Sequence, residues 1–228
     1  MSAQNRRDGR AATEVAVTVG DAKSLAARKK TLRAELRRVR QEQGCAVGSV
    51  ESQCLAEKAA EQAFGLGALA VAKCVAVYAA SGHELDPACL VERLAVSSSV
   101  AFPRIETAKP PALSFRLCSP SALVAARFGL REPLETSPTV QAIDVFVVPG
   151  LGFDPKGRRL GQGGGYYDAA LHKVPEAVRV GFGYDFQIIS EIPVEECDEP
   201  MDFIVTPTRT WATLARTFAP RSAKEDVS

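Results

Sequence analysis

The sequence predicts an α/β protein: a doubly wound, mostly parallel sheet with helices on both faces, three layers in all. Two observations carry this reading. Short, nearly continuous apolar runs recur around residues 74–79, 143–148 and 178–183, the pattern of strands buried on both faces of a parallel sheet. Longer stretches with apolar residues at helical spacing precede and separate them, so helices and strands alternate. A chain of 228 residues that is 46% hydrophobic can close one sizeable core. One domain over residues 24–218 is expected, between a disordered extension (1–23) and a polar, disordered tail (219–228).

Residues 24–43 are rich in strong helix formers, and Leu25, Leu32, Leu36 and Val39 make one apolar stripe on a helix with a basic back; Gly44 ends it. A second helix is expected over residues 50–70, carrying Leu55, Ala59, Ala63, Phe64 and Leu66. The first strand, 74–79, is closed by Ser81-Gly82. A helix over 87–95, a strand at 99–102 and a strand at 113–117 follow. The run 143–148 is the clearest buried strand. After it come a glycine-rich loop, a helix beginning near Tyr166, a strand over 178–183 and a short strand at 203–205. This order is Rossmann-like. Pro110-Pro111 and Thr136-Ser137-Pro138 punctuate loops inside the domain, and no internal repeat is visible.

Composition excludes several classes. The formal net charge of +1 argues against a globally basic nucleic-acid binder, although the ends differ: residues 1–40 hold eleven Lys or Arg against four Asp or Glu, whereas residues 185–202 hold seven acids and no base. No apolar stretch approaches the ~18 residues of a membrane span. Six cysteines are scattered without a C-x-x-C pair, which suggests neither zinc nor a disulfide framework and fits a reducing, cytoplasmic compartment. Arg6, Arg7 and Arg10 also allow an organelle-targeting extension over residues 1–23.

The loop after residue 148 stands where open α/β sheets bind ligands, at the carboxyl end of the strongest strand. Gly161, Gly163, Gly164 and Gly165 lack β-carbons, so main-chain N–H groups there can approach an oxyanion closely. A helix starting near Tyr166 points its positive end at the same spot. Arg158 and Arg159 add planar cationic donors, and Asp168 is an oxygen ligand of the kind magnesium prefers. The plainer reading is a tight turn before an aromatic pair. Neither standard nucleotide-binding signature matches, so these residues by themselves indicate an anion site suited to phosphate. His83 and His172 have no neighbouring cysteine or second histidine and read as incidental.

The run VPGLGFDPKGRRLGQGGGYYDAAL resembles the signature of the 5-formyltetrahydrofolate cyclo-ligase family, also called 5,10-methenyltetrahydrofolate synthetase. Lys29-Lys30-Thr31-Leu32-Arg33, Gly82-His83-Glu84-Leu85-Asp86 and Met201-Asp202-Phe203-Ile204-Val205-Thr206 stand in the family's order around it. The resemblance implies an ATP- and magnesium-dependent ligase: ATP phosphorylates the formyl oxygen of 5-formyltetrahydrofolate, nitrogen 10 attacks the activated carbon, and phosphate leaves. By the same resemblance ATP is bound by Lys29, Arg33, Arg159, Leu160, Gly161, Gln162, Gly163, Gly164, Gly165, Tyr166 and Tyr167. The folate is lined by Ala79 and Glu84 and touched by Gln162, Gly163, Gly164, Gly165 and Tyr166. Glu84, Arg159 and Tyr166 are the implied catalytic groups, and Asp168 and Asp202 the implied magnesium ligands. Read alone, Lys29 and Arg33 are a solvated basic face, Glu84 a loop acid and Asp202 an exposed acid before a strand. Pro87 departs from the family, standing where a threonine commonly follows the acidic pair.

The expected partners are small molecules, with no nucleic acid or membrane, and the expected state is a monomer. Two other readings stay open: a relative that holds a nucleotide but has another substrate or no activity, and an RNA-associated module using the arginine-rich first helix.

Overall fold

A computed structural model describes residues 24–213, so the expected extension and tail lie outside the described residues. Helix α1, Leu25–Gln43, starts at Ser24, whose hydroxyl accepts the Ala27 N–H at 3.3 Å. The second helical stretch is broken: α2, Val50–Phe64, stops at Gly65, Leu66 is extended (φ −78°, ψ 116°), and α3 covers only Gly67–Val71. Helical periodicity continues across the break, which is why the sequence reads as one helix.

Strand β1, Cys74–Val77, is buried throughout and is followed by α4, Ala88–Leu94. Next come β2, Ser99–Ala108, and β3, Pro111–Leu117. A small hairpin of β4, Val124–Ala125, and β5, Arg131–Glu132, follows. Strand β6, Val145–Val148, runs into a second small hairpin, β7, Gly152–Phe153, with β8, Arg159–Leu160. Helix α5, Tyr166–His172, then precedes β9, Val178–Phe182, β10, Phe203–Val205, and β11, Thr210–Ala212.

The main sheet has the order β11-β10-β9-β6-β1-β2-β3. Its five central strands are parallel, and β3 and β11 pair antiparallel at the edges. Alternate side chains sort to opposite faces. Val75, Val77, Val145, Val147 and Val180 pack with α2, α3 and α4, whereas Ala76, Phe146, Val148 and Ile204 pack with Ala170 and Leu171 of α5. The doubly wound, three-layer α/β/α expectation therefore holds. Fully burying one such valine contributes about 1.5–3 kcal/mol. A third cluster joins Leu32 and Leu36 of α1 to Leu151 and Leu160 of the β7–β8 hairpin, and this contact sets the basic face of α1 against the glycine-rich loop. Among the described residues, no helix is long and apolar enough to cross a membrane.

Candidate active site

Chain order reverses between β1 and β6: β1 is followed by β2 on one side, while the chain crosses to β6 on the other. A crevice opens outside the carboxyl ends of strands at such a switch point. A cavity of about 1050 Å³ lies there, lined by Tyr78 and Ala79 after β1 and by Pro149 and Gly150 after β6. Its walls are the loop from Arg159 to Asp168, Glu84, and the apolar residues Pro103, Ile105, Pro111 and Leu113 of β2 and β3; Pro111 packs beside Gly165, 3.7 Å from where a Cβ would stand.

The loop is held from both sides. From α1, Arg33 Nε donates to Gly161 O at 3.1 Å, and Arg37, one turn on, donates to Gln162 Oε1 at 2.9 Å and Gln162 O at 3.0 Å. From beneath, Asp154 is fully buried and its carboxylate accepts the N–H groups of Lys156, Arg158 and Ile192. Asp154 thus closes the turn between β7 and β8. Arg158 spends its guanidinium on Asp154 and Glu191 and does not line the cavity, contrary to its expected place beside Arg159.

Arg159 does line it. Its guanidinium is nearly buried, donates to Asp168 Oδ1 at 2.9 Å and to Pro149 O at 3.4 Å, and stands 5.7 Å over the Tyr167 ring. Gly163 (φ 102°) and Gly165 (φ 69°) take backbone conformations closed to most side chains, and Gly165 caps α5. Gly164 packs under Tyr166, where an added Cβ would meet the ring at 2.8 Å.

The Glu84 side chain is 14% exposed; it accepts Ser81 N–H at 3.1 Å and pairs with Arg40 of α1 at 3.2 Å. Desolvation raises its pKa and outweighs the opposing pull of Arg40 and Ser81. Tyr167 is likewise pushed up, by desolvation and then by the charge of Glu84.

The 5-formyltetrahydrofolate cyclo-ligase family matches residues 23–207. The chain belongs to that family. The Escherichia coli K12 5-formyltetrahydrofolate cyclo-ligase is 32% identical over 168 residues, covering 71% of this chain and 92% of its own length. The solution NMR structure of Aquifex aeolicus 5,10-methenyltetrahydrofolate synthetase superimposes with a TM-score of 0.69 at 28% identity, over 87% of this chain and 99% of that one. The Mycoplasma pneumoniae 5,10-methenyltetrahydrofolate synthetase shares the fold, with a TM-score of 0.60 at 22% identity, over 78% of this chain and 98% of that one.

The structure gathers most of the residues singled out by the cyclo-ligase resemblance around one cavity: Arg33, Ala79, Glu84, Arg159 to Tyr167 and Asp168. Two fall outside. Lys29 is 2% exposed and does not line the cavity, because Glu195 and Asp198 close over its ammonium. Asp202 is buried just before β10, where its Oδ2 accepts the N–H of Arg179 at 2.8 Å, near the amino ends of β9 and β10. The cavity is at the carboxyl ends. Asp202 therefore does not join Asp168, and it is not the exposed acid it resembles in sequence. Sequence reasoning missed Arg37, Arg40 and the apolar wall of β2 and β3: Arg37 continues the i, i+4 spacing of Lys29 and Arg33 and Arg40 follows it at i+3, but their targets lie more than forty positions away.

Proposed function

We propose that this chain converts 5-formyltetrahydrofolate to 5,10-methenyltetrahydrofolate at the expense of ATP. The observation that carries the reading is one cavity of about 1050 Å³ lined both by a phosphate-suited glycine-rich loop and by apolar strand residues suited to a ring. The triphosphate lies along Gly163 to Gly165 with Arg33 and Arg159 as counter-charges, and the reduced pterin lies between Tyr166 and the apolar strands, its N–H groups donating to Glu84. The formyl oxygen attacks the γ-phosphorus and ADP leaves. Nitrogen 10 then attacks the formyl carbon and gives up its proton, and the carbon–oxygen bond breaks as hydrogen phosphate departs with the former formyl oxygen and that proton. The protein's part is to hold the two substrates in line and to stabilise charge, which suffices for much of the barrier in phosphoryl transfer.

Asp168 fits magnesium: it is a cavity carboxylate beside the loop, and this ion is commonly held by one or two carboxylates plus substrate phosphates. Bound there, magnesium would neutralise phosphate charge. The described cysteines are unpaired, which supports a reducing, cytosolic setting. The test is growth of the near-ultraviolet absorbance of the conjugated methenyl product on mixing the protein with 5-formyltetrahydrofolate and MgATP. Folded protein that forms no product in this mixture refutes the proposal.

A further inference from the structure

Lys29 and Arg33 lie one turn apart on the same face of α1, yet only Arg33 lines the cavity. Between Lys29 and the cavity stand two acids that do line it, Glu195 and Asp198. Glu195 Oε2 lies 2.8 Å from Lys29 Nζ, and Asp198 Oδ2 accepts from the same ammonium. The acids belong to one tight turn: Asp198 Oδ2 also takes the Glu195 N–H at 2.7 Å, and the Asp198 N–H donates to Glu195 O at 3.0 Å. The next residue, Glu199, donates its N–H to Asp168 Oδ1 at 3.3 Å, so the turn is anchored to the same carboxylate that Arg159 grips.

Burial by itself would depress the pKa of Lys29; hydrogen bonds and charge from Asp198 and Glu195 reverse this and raise it. The lysine is thus charged and already satisfied. Phosphates entering beside Gly163 and Arg33 meet two carboxylates before they meet that ammonium. The partners are unequal in freedom: the Lys29 side chain is 3% exposed, whereas those of Glu195 and Asp198 are 40% and 25% exposed. An exposed carboxylate can swing into water at small cost, but a buried lysine cannot follow it.

We propose that Glu195 and Asp198 are positioning residues forming a carboxylate latch on Lys29, holding its ammonium until the nucleotide's phosphates displace them. The inference rests on the nucleotide reading of the glycine-rich loop. The latch keeps a buried cation paired while the site is empty and releases it to a stronger, multiply charged acceptor. It also opposes any weaker anion that cannot break both contacts.

The test is isothermal titration with two probes free of divalent metal, ATP in a chelator and inorganic tripolyphosphate. The proteins are the unchanged chain, Glu195→Gln, Asp198→Asn, Lys29→Met, and Lys29→Met combined with Glu195→Gln. Amides keep a hydrogen-bond acceptor for the lysine but surrender the charge. Each single amide variant is expected to bind both probes about tenfold more tightly, the equivalent of losing one charged competitor. On the Lys29→Met background, Glu195→Gln should gain less than about twofold. Should Asp198→Asn fail to fold, Glu195→Gln decides alone, since its side chain is 40% exposed. No tightening in a folded variant, with the unchanged chain binding ATP normally, overturns the latch. Equal tightening with and without Lys29 overturns it too, because general repulsion then explains the gain. An unchanged chain that binds neither ATP nor MgATP overturns the nucleotide reading beneath it.

Discussion

Replacing Gly163 by alanine adds one methyl group at the point where the loop meets α1. At φ 102° an L-residue is strained whatever the space around it, and the new Cβ would lie 3.3 Å from both Cζ and Nε of Arg33. The backbone conformation alone costs about 1–3 kcal/mol. For a protein of this size that lowers the melting temperature by about 2–12 °C. The crowding acts on function as well, since Arg33 Nε holds Gly161 O at 3.1 Å and cannot give way without loosening the loop. Misplacing such groups by a fraction of an ångström should weaken ATP binding about tenfold or more. Gly67 is the control: it opens α3, has no atom within 4 Å of an added Cβ, and has an ordinary backbone conformation. Gly67→Ala should stabilise by about 0.4–1 kcal/mol and leave ATP binding alone. Thermal melts and titration calorimetry on both variants check this. Gly163→Ala with unaltered melting temperature and ATP affinity would refute the phosphate role of the loop and the strain together.

Asp168 and Asp202 should separate cleanly. Asp168→Asn removes the charge facing Arg159 and should lower turnover about a hundredfold, measured at saturating MgATP. Asp202→Ala removes the acceptor of the Arg179 N–H and should cost about 1–3 kcal/mol in denaturant melts, with the magnesium dependence of activity unmoved; a shifted magnesium titration would restore Asp202 as a ligand. Glu84 carries a pH signature. Its folded pKa is raised, so its protonated form is favoured on folding, and its charged form is a burden that grows as pH rises from the ordinary carboxylate range through the raised value. The melting temperature of the unchanged chain should therefore gain on that of Glu84→Gln as pH falls through this window, and a constant difference across the window would contradict it.

The parallel sheet was legible because β1, β6 and β9 are buried on both faces, and a strand so placed has no polar alternate positions to blur its apolar run. The short hairpins were not. Strands β4, β5, β7 and β8 hold two residues each, too few to show any period, and β7 and β8 sit inside a stretch whose glycines and charges read as loop. The break at Gly65 was hidden because α2 and α3 bury the same face. The glycine-rich loop was visible through composition, whereas the anchoring of that loop by Arg37 and the Arg40–Glu84 pair depends on contacts distant in sequence. Asp202 shows the opposite failure. A motif places a residue along the chain, but the end of the strand on which it falls decides whether it faces the ligand crevice or pins neighbouring strands.

Charge is distributed across this fold in a way that folding alone does not call for. Asp154 and Asp202 are buried but take main-chain N–H groups, so they substitute for missing backbone partners. Asp154 also pairs with Arg158, and around the cavity cations largely withdrawn from solvent are paired in the same way: Lys29 with Glu195 and Asp198, Arg40 with Glu84, Arg159 with Asp168. Replacing such pairs by apolar side chains of similar volume often leaves stability unchanged or improves it. Their arrangement makes sense as a set of opposed charges that an anionic, ring-bearing pair of substrates can partly separate on entry. Arg33 and Arg159 line the cavity beside the glycine-rich loop and Arg40 is held by Glu84, so on the proposed reading an entering anion meets cations already fixed in place by acids and main-chain carbonyls.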